Sequence, residues 1–214
     1  MPQRSVGRSA VAKWTSAVAI AVVLTTVFVQ PNQTAFALTS ALGDGSAKLS
    51  LPWARGEFWR LTGGPHPESY GKSRPWSAID FQPENAKPGR VRAARGGVVS
   101  RPCPNLVLIN HGDGWTTSYY HLSKIQVRDG QRVDRGQFLG WTSTRAGCGG
   151  FATGAHLHFS LLWRGDFVNI RGHAVGGWKV TEGSRPYRGC LVKDGMRKCA
   201  PKGNVYNFGV IGAQ

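Results

Sequence analysis

The run "GAHLHFSL", Gly154 to Leu161, sets His156 and His158 on either side of one leucine inside an apolar stretch that ends at Trp163. In a strand, residues i and i+2 project from one face, so the two imidazoles share a side while Leu157 points to the other. In a helix the same spacing would part them. Neutral imidazole is both a zinc ligand and a base near pH 7, so such a pair suits metal binding or proton transfer. By itself the pair describes a half-wet strand equally well. Three further residues join it. "GGPHPESYGKSRPWSAIDFQP" offers His66 and Asp80, the latter between Ala78, Ile79 and Phe81, where an unpaired carboxylate is costly and a cation would resolve the cost. "TTSYYHLSK" adds His121 at the end of a strand, beside Tyr119 and Tyr120.

Absences narrow the chemistry. There is no H-E-x-x-H, and Glu57, Glu68, Glu84 and Glu182 are the only glutamates, so a hydrolytic base is expected to be a histidine. "GKS" at Gly71 to Ser73 is no phosphate loop, because the upstream glycine position is held by His66. His111 in "HGDG" reads as a turn residue, and His173 receives no role.

The elements that must position these residues are short. Turn signals at "HGDG", "RDG", "RG" and "RGD" separate β-rich runs: Gly97 to Ser100, Leu106 to Asn110, Trp115 to His121, Phe138 to Trp141, His156 to Trp163 and Phe167 to Ile170. Helical periodicity is nearly absent after the N-terminal segment. The expected fold is therefore all-β, mostly antiparallel with long loops, in a single domain. Tryptophans 53, 59, 76, 115, 141, 163 and 178 are expected in the core or its rim, with one or two at the cleft.

The N-terminus reads as a targeting segment. Arg4, Arg8 and Lys13 precede the apolar stretch Trp14 to Val29, and Ala35-Phe36-Ala37 forms an A-x-A cleavage site. Residues 1–37 are thus a secretory signal peptide, with an uncleaved anchor as the rival reading. Residues 38–50 form a short flexible lead, and 51–214 the domain. The product is soluble and extracellular, and no longer bound to the membrane once cleaved.

The chain carries a formal charge of +16; the signal holds three of the 27 basic residues and no acidic one, leaving +13. An anionic partner follows. Arg90, Arg92 and Arg95 are spaced, and Arg128, Arg132 and Arg135 alternate with Asp129 and Asp134, so no K/R-rich block points to nucleic acid. An anionic cell surface fits a secreted protein better, the plainer alternative being charge for solubility.

The ordered set His66, Asp80, "YYHLSK" and "GAHLHFS" resembles the secreted zinc endopeptidases of the lysostaphin and beta-lytic metallopeptidase family. "LVLINHGDGWTTSYYHLSKIQVRDGQRVDRGQFLGWTST" is similar to that family's core, and the likeness covers roughly residues 55 to 170. Thirteen residues separate His66 from Asp80, where lysostaphin-like members have H-x-x-x-D, so the resemblance is to the beta-lytic branch. It implies that His66, Asp80 and His158 hold one Zn2+ per chain. His121 and His156 are then free of the metal and placed for catalysis, with Tyr120, and after it Tyr187, as further hydrogen-bond donors. Two nitrogens and one oxygen leave zinc an open fourth position, the pattern of a catalytic site. The implied activity is a peptidoglycan endopeptidase that cuts glycine-containing bonds, acting as a monomer on the anionic bacterial wall. The rivals are a non-catalytic envelope module of the same fold and a cationic polyanion-binding protein.

An exported chain is expected to pair its four cysteines, for which three connectivities exist. "CLVKDGMRKC" reads as a hairpin whose two-residue loop is Asp194-Gly195, a type I′ signal. That register puts Cys190 opposite Cys199 at a non-hydrogen-bonded site, where Cα atoms stand about 4.5 Å apart, within disulfide range. Cys103 to Cys148 is the remaining bridge, and the resemblance implies the same pattern.

Overall fold

Turn chemistry cuts the chain into short extended segments, and those segments build nearly everything. The computed structural model describes residues 48–68, 74–85 and 87–209, and among these there is no helix. The strands are β1 (Phe58–His66), β2 (Ala78–Pro83), β3 (Arg90–Arg92), β4 (Gly97–Ser100), β5 (Val107–Asn110), β6 (Trp115–Tyr120), β7 (Leu122–Ser123), β8 (Arg132–Val133), β9 (Phe138–Thr142), β10 (Leu157–Trp163), β11 (Asp166–Phe167), β12 (Ala174–Val175), β13 (Trp178–Glu182), β14 (Gly189–Lys193), β15 (Met196–Cys199) and β16 (Gly203–Tyr206). All pairings between them are antiparallel. The principal sheet runs β16-β1-β2-β10-β6-β5-β4-β8, with β11 on β10; β12 to β15 form a second sheet, and β3-β9-β7 a third.

The antiparallel all-β expectation holds, with local differences. The run from Phe167 to Ile170 keeps strand pairing only to Phe167. Beyond it the backbone turns inward, and Ile170 N donates to Trp76 O while its side chain is fully buried. The signal and residues 38–47 lie outside the described residues. The last residues of the expected lead are already packed: Leu49 bridges Val175 in parallel, and Ser50 Oγ donates to Ala94 O at 2.7 Å. Both are buried.

Central strand β10, paired on both edges by β2 and β6, is buried from Leu157 to Leu162. Trp53 stacks on Trp59 with ring centroids 5.0 Å apart, and Phe81 meets Trp53 edge-on at 4.9 Å. Both disulfides are present, Cys103–Cys148 with Cα atoms 5.8 Å apart and Cys190–Cys199 at 4.0 Å. The hairpin register holds residue for residue, Lys193 facing Met196 and Cys190 facing Cys199. Asp194 and Gly195 take φ of 47° and 77°, as a type I′ turn requires.

Candidate active site

Four neighbouring strands build one row of directly opposed residues: Gly63 on β1, Asp80 on β2, His158 on β10 and Tyr120 on β6. Directly opposed residues share a face, so Asp80 and His158 stand side by side although 78 positions part them in sequence. Gly63 completes the row without a side chain. A Cβ there would collide with the Asp80 carboxylate, so glycine is what makes room.

His66 arrives by a shift of register. Gly63 faces Asp80 and His66 faces Ala78, so three steps along β1 match two along β2. The extra residue reverses the in-out parity of the strand and turns His66 to the face that Asp80 occupies. His156, two residues before His158, lies on that same face, and its Nε2 is 3.6 Å from Asp80 Oδ1. His121 follows Tyr120 at a φ of 61°, a left-handed conformation that ends β6.

Three ligand-type atoms converge. His158 Nδ1 is 3.1 Å from Asp80 Oδ1 and 3.2 Å from His66 Nε2, and His66 Nε2 is 3.4 Å from Asp80 Oδ1. In a tetrahedral zinc site with bonds of about 2.0 to 2.1 Å, neighbouring ligand atoms stand about 3.3 Å apart. The three side chains therefore form one face of such a tetrahedron and fit the ion. Among the described residues no other group of three His, Cys, Asp or Glu side chains is so arranged. His66 Nδ1 donates to Gly64 O at 2.7 Å, which leaves the Nε2 lone pair facing the other two.

His121 and His156 come together beside this trio, with ring centroids 4.7 Å apart. Each commits Nδ1 to a backbone carbonyl, His121 to Arg145 O and His156 to Gly154 O, both at 2.8 Å, so each has Nε2 left for other work. Ser143 links the two: its N and Oγ both donate to His121 O at 2.8 Å, and its carbonyl bridges His156. Burial pushes His121 down to about 4, helped by the nearby His156 and His158 and opposed by the bond to Arg145, so the ring is neutral at pH 7. Burial works against charge on His158 too. There the hydrogen bonds and negative charges of Asp80 and Glu68 prevail and raise it to about 10. Asp80 itself is held well below the carboxylate range: burial opposes this, but His66 and His158 outweigh it.

The surrounding cleft measures about 860 Å³ and has no Lys or Arg in its lining. Its aromatic residues are Tyr120, Phe151, Phe167 and Tyr187; none of the tryptophans lines it, since the inward-facing ones are in the core. The Tyr120 hydroxyl donates to Gly149 O at 2.7 Å and accepts from Cys148 N at 2.9 Å, which fastens the disulfide loop to the site. Tyr187 stacks on His66 with centroids 4.0 Å apart. It takes a φ of 64°, unusual for a bulky residue, held there by its pairing with Gly64 and the bond of its N to Pro65 O. Outside the cleft, His111 bonds Gly96 O and Thr117 Oγ1, as a structural residue would, and His173 packs against Trp115. Glu68 and Ser143 carried no signal in the sequence that set them beside the site.

Comparison with known proteins places the chain in a family. The model of peptidase family M23 matches residues 74–170, which include Asp80, His121, His156 and His158 and begin after His66. The beta-lytic metalloendopeptidase of Lysobacter enzymogenes is 32% identical over 164 residues, 71% of this chain and 92% of that protein. The chain belongs to peptidase family M23. Protease LasA of Pseudomonas aeruginosa is 35% identical over 156 residues, 69% of this chain but only 37% of its own length. A 65-residue stretch is 49% identical to the peptidoglycan DD-endopeptidase ShyA of Vibrio cholerae, 30% of this chain and 14% of that one. The solved structure of the M23 metalloprotease Pseudoalterin superposes with a TM-score of 0.68 at 30% identity, over 74% of this chain and 97% of that one.

Proposed function

We propose that this protein is a secreted, monomeric zinc endopeptidase of bacterial peptidoglycan that cuts glycine-containing peptide bonds. The observation that carries the reading is the triangle of His66, Asp80 and His158, with edges of 3.1 to 3.4 Å, flanked by two histidines outside it. Bound there, zinc would lower the pKa of a coordinated water to about 7 and polarise a peptide carbonyl. The chain's own residues do the rest. His121 and His156, with Nδ1 fixed, take the proton of the attacking water on Nε2, pass it to the leaving amine and steady the developing oxyanion. The two phenols flank the ligands as further hydrogen-bonding groups: Tyr187 stacks on His66, and Tyr120, whose hydroxyl donates to Gly149 O, also holds the loop.

Similarity to ShyA, a peptidoglycan DD-endopeptidase, supports a peptidoglycan substrate. The basic charge supports docking on an anionic wall. Tyr187, Phe151 and the Cys148–Gly154 loop crowd the approach to the ligands, which favours bonds flanked by residues without side chains. A non-catalytic envelope module would have no use for three complete ligands and two oriented histidines. The test is turbidity clearing of purified Gram-positive walls, with and without a chelator, beside metal analysis and cleavage of pentaglycine against pentaalanine. One zinc per chain, chelator-sensitive clearing and preference for pentaglycine are expected. Undiminished clearing after full metal removal would overturn the zinc reading, and equal cleavage of both peptides the glycine preference.

A further inference from the structure

We infer that Glu68 is a positioning residue for the metal centre: its carboxylate accepts the Nε2–H of His158 and so fixes the ring with Nδ1, the nitrogen that must give up its proton to a cation, turned toward Asp80 and His66. The inference rests on the zinc reading above and adds to it a residue outside the ligand set.

His158 is the one ligand of the three that presents Nδ1, and its two nitrogens face two different carboxylates. Nδ1 lies 3.1 Å from Asp80 Oδ1 and Nε2 lies 3.2 Å from Glu68 Oε2. Without an acceptor at Nε2, a ring that gives up one proton would be free to keep the one on Nδ1, where it would bond Asp80 and shut a cation out. Glu68 removes that choice. Its own orientation is fixed, since Oε1 accepts from Ser77 Oγ at 3.0 Å and Ser77 is fully buried at the entrance to β2. With both oxygens engaged inside the site, Glu68 is not spare for another partner. It also follows His66 by two residues across Pro67, so one turn delivers both the first ligand and the carboxylate that orients the third. Its negative charge, added to that of Asp80, balances a dication. The other three glutamates bond elsewhere: Glu57 to Trp59, Glu84 to Asn204 and Glu182 to Arg74.

Partners of this kind are typically worth about 10- to 100-fold in metal affinity. The test measures zinc affinity by competition with a chromophoric chelator for the wild type, Glu68→Ala and Glu68→Gln, together with the melting temperature of each metal-free protein and the visible spectrum of each loaded with Co2+. Glu68→Ala is expected to bind zinc about 10- to 100-fold more weakly. Glu68→Gln, which keeps an acceptor oxygen but drops the charge, should fall between it and the wild type, and both should alter the cobalt spectrum. Wild-type affinity in Glu68→Ala would overturn the inference, as would losses in both variants that merely follow a fall in metal-free stability. Should Glu68→Ala not fold, Glu68→Gln decides: wild-type affinity and an unchanged cobalt spectrum would refute it. A wild type that takes up no zinc at all would bring down the zinc reading and this inference together.

Discussion

Replacing Cys103 and Cys148 together by serine should damage stability and catalysis at once, whereas the same change at Cys190 and Cys199 should cost mainly stability, and less of it. In the chain-entropy account a bridge stabilises by restricting the unfolded chain, and the effect grows with the loop it closes. The sequence separations are 45 and 9 residues, which correspond to about 4 kcal/mol for Cys103–Cys148 and about 2.6 kcal/mol for Cys190–Cys199. The catalytic difference comes from the segment that Cys148 anchors. Residues 144–155 supply the carbonyls of Arg145 and Gly154 that orient His121 and His156, and Cys148 and Gly149 hold the Tyr120 hydroxyl. With the bridge gone, the bond from Gly147 N to Asn105 Oδ1 still retains the loop at one point, so a loosened rather than a lost site is expected. A displacement of the order of 1 Å at reacting groups can cost about 10²-fold in rate, which bounds the loss in wall clearing for the Cys103/Cys148 variant. The hairpin variant keeps the strand pairing of β13, β14 and β15 and should clear walls at close to the wild-type rate. Urea unfolding and turbidity clearing, both at equal excess zinc and at a temperature where each variant is folded, give the two numbers. A hairpin variant at least as destabilised as the other, or full activity in the Cys103/Cys148 variant, would refute the reasoning.

Three further outcomes are expected. His158→Ala should lose zinc and activity together, while His121→Ala and His156→Ala keep zinc and lose about 10²- to 10⁴-fold in rate; metal analysis beside clearing assays decides, and a zinc-free His156→Ala would reverse the assignment. Gly63→Ala should weaken zinc binding, since the new methyl group meets the Asp80 carboxylate; chelator competition tests it, and unchanged affinity would count against the row of opposed residues as the basis of the site. Zinc affinity should fall on acidification: His158 in the metal-free protein is raised to about 10, so it is protonated through the neutral range and binding must displace that proton. The slope should be about tenfold per pH unit between about pH 6 and 8, and a flat profile by chelator competition would contradict it.

Much of the site was open to local reading. Period-two alternation alone sets His156 and His158 on one face, and the Asp194-Gly195 loop alone fixes the register that joins Cys190 to Cys199. Turn residues and β-branched runs were enough for an antiparallel all-β fold, because both act over a few neighbouring residues. Strands without such bounds escaped notice. β1 runs through Gly63, Gly64 and Pro65, whose weak strand propensity hides it, and it is β1 that carries His66.

What the sequence by itself determined was the kind of chemistry: which side chains of metal-ligating type are present, which imidazoles lie in strand rhythm and where the chain turns. Tertiary structure alone decided how they meet. The parity change between Gly63 and His66, the opposition of Asp80 to His158, the left-handed backbone at His121 and the reach of Glu68 to His158 Nε2 all depend on register between strands far apart in sequence. Register is set by burying the face shared by several strands at once, and no short window of residues contains that energy.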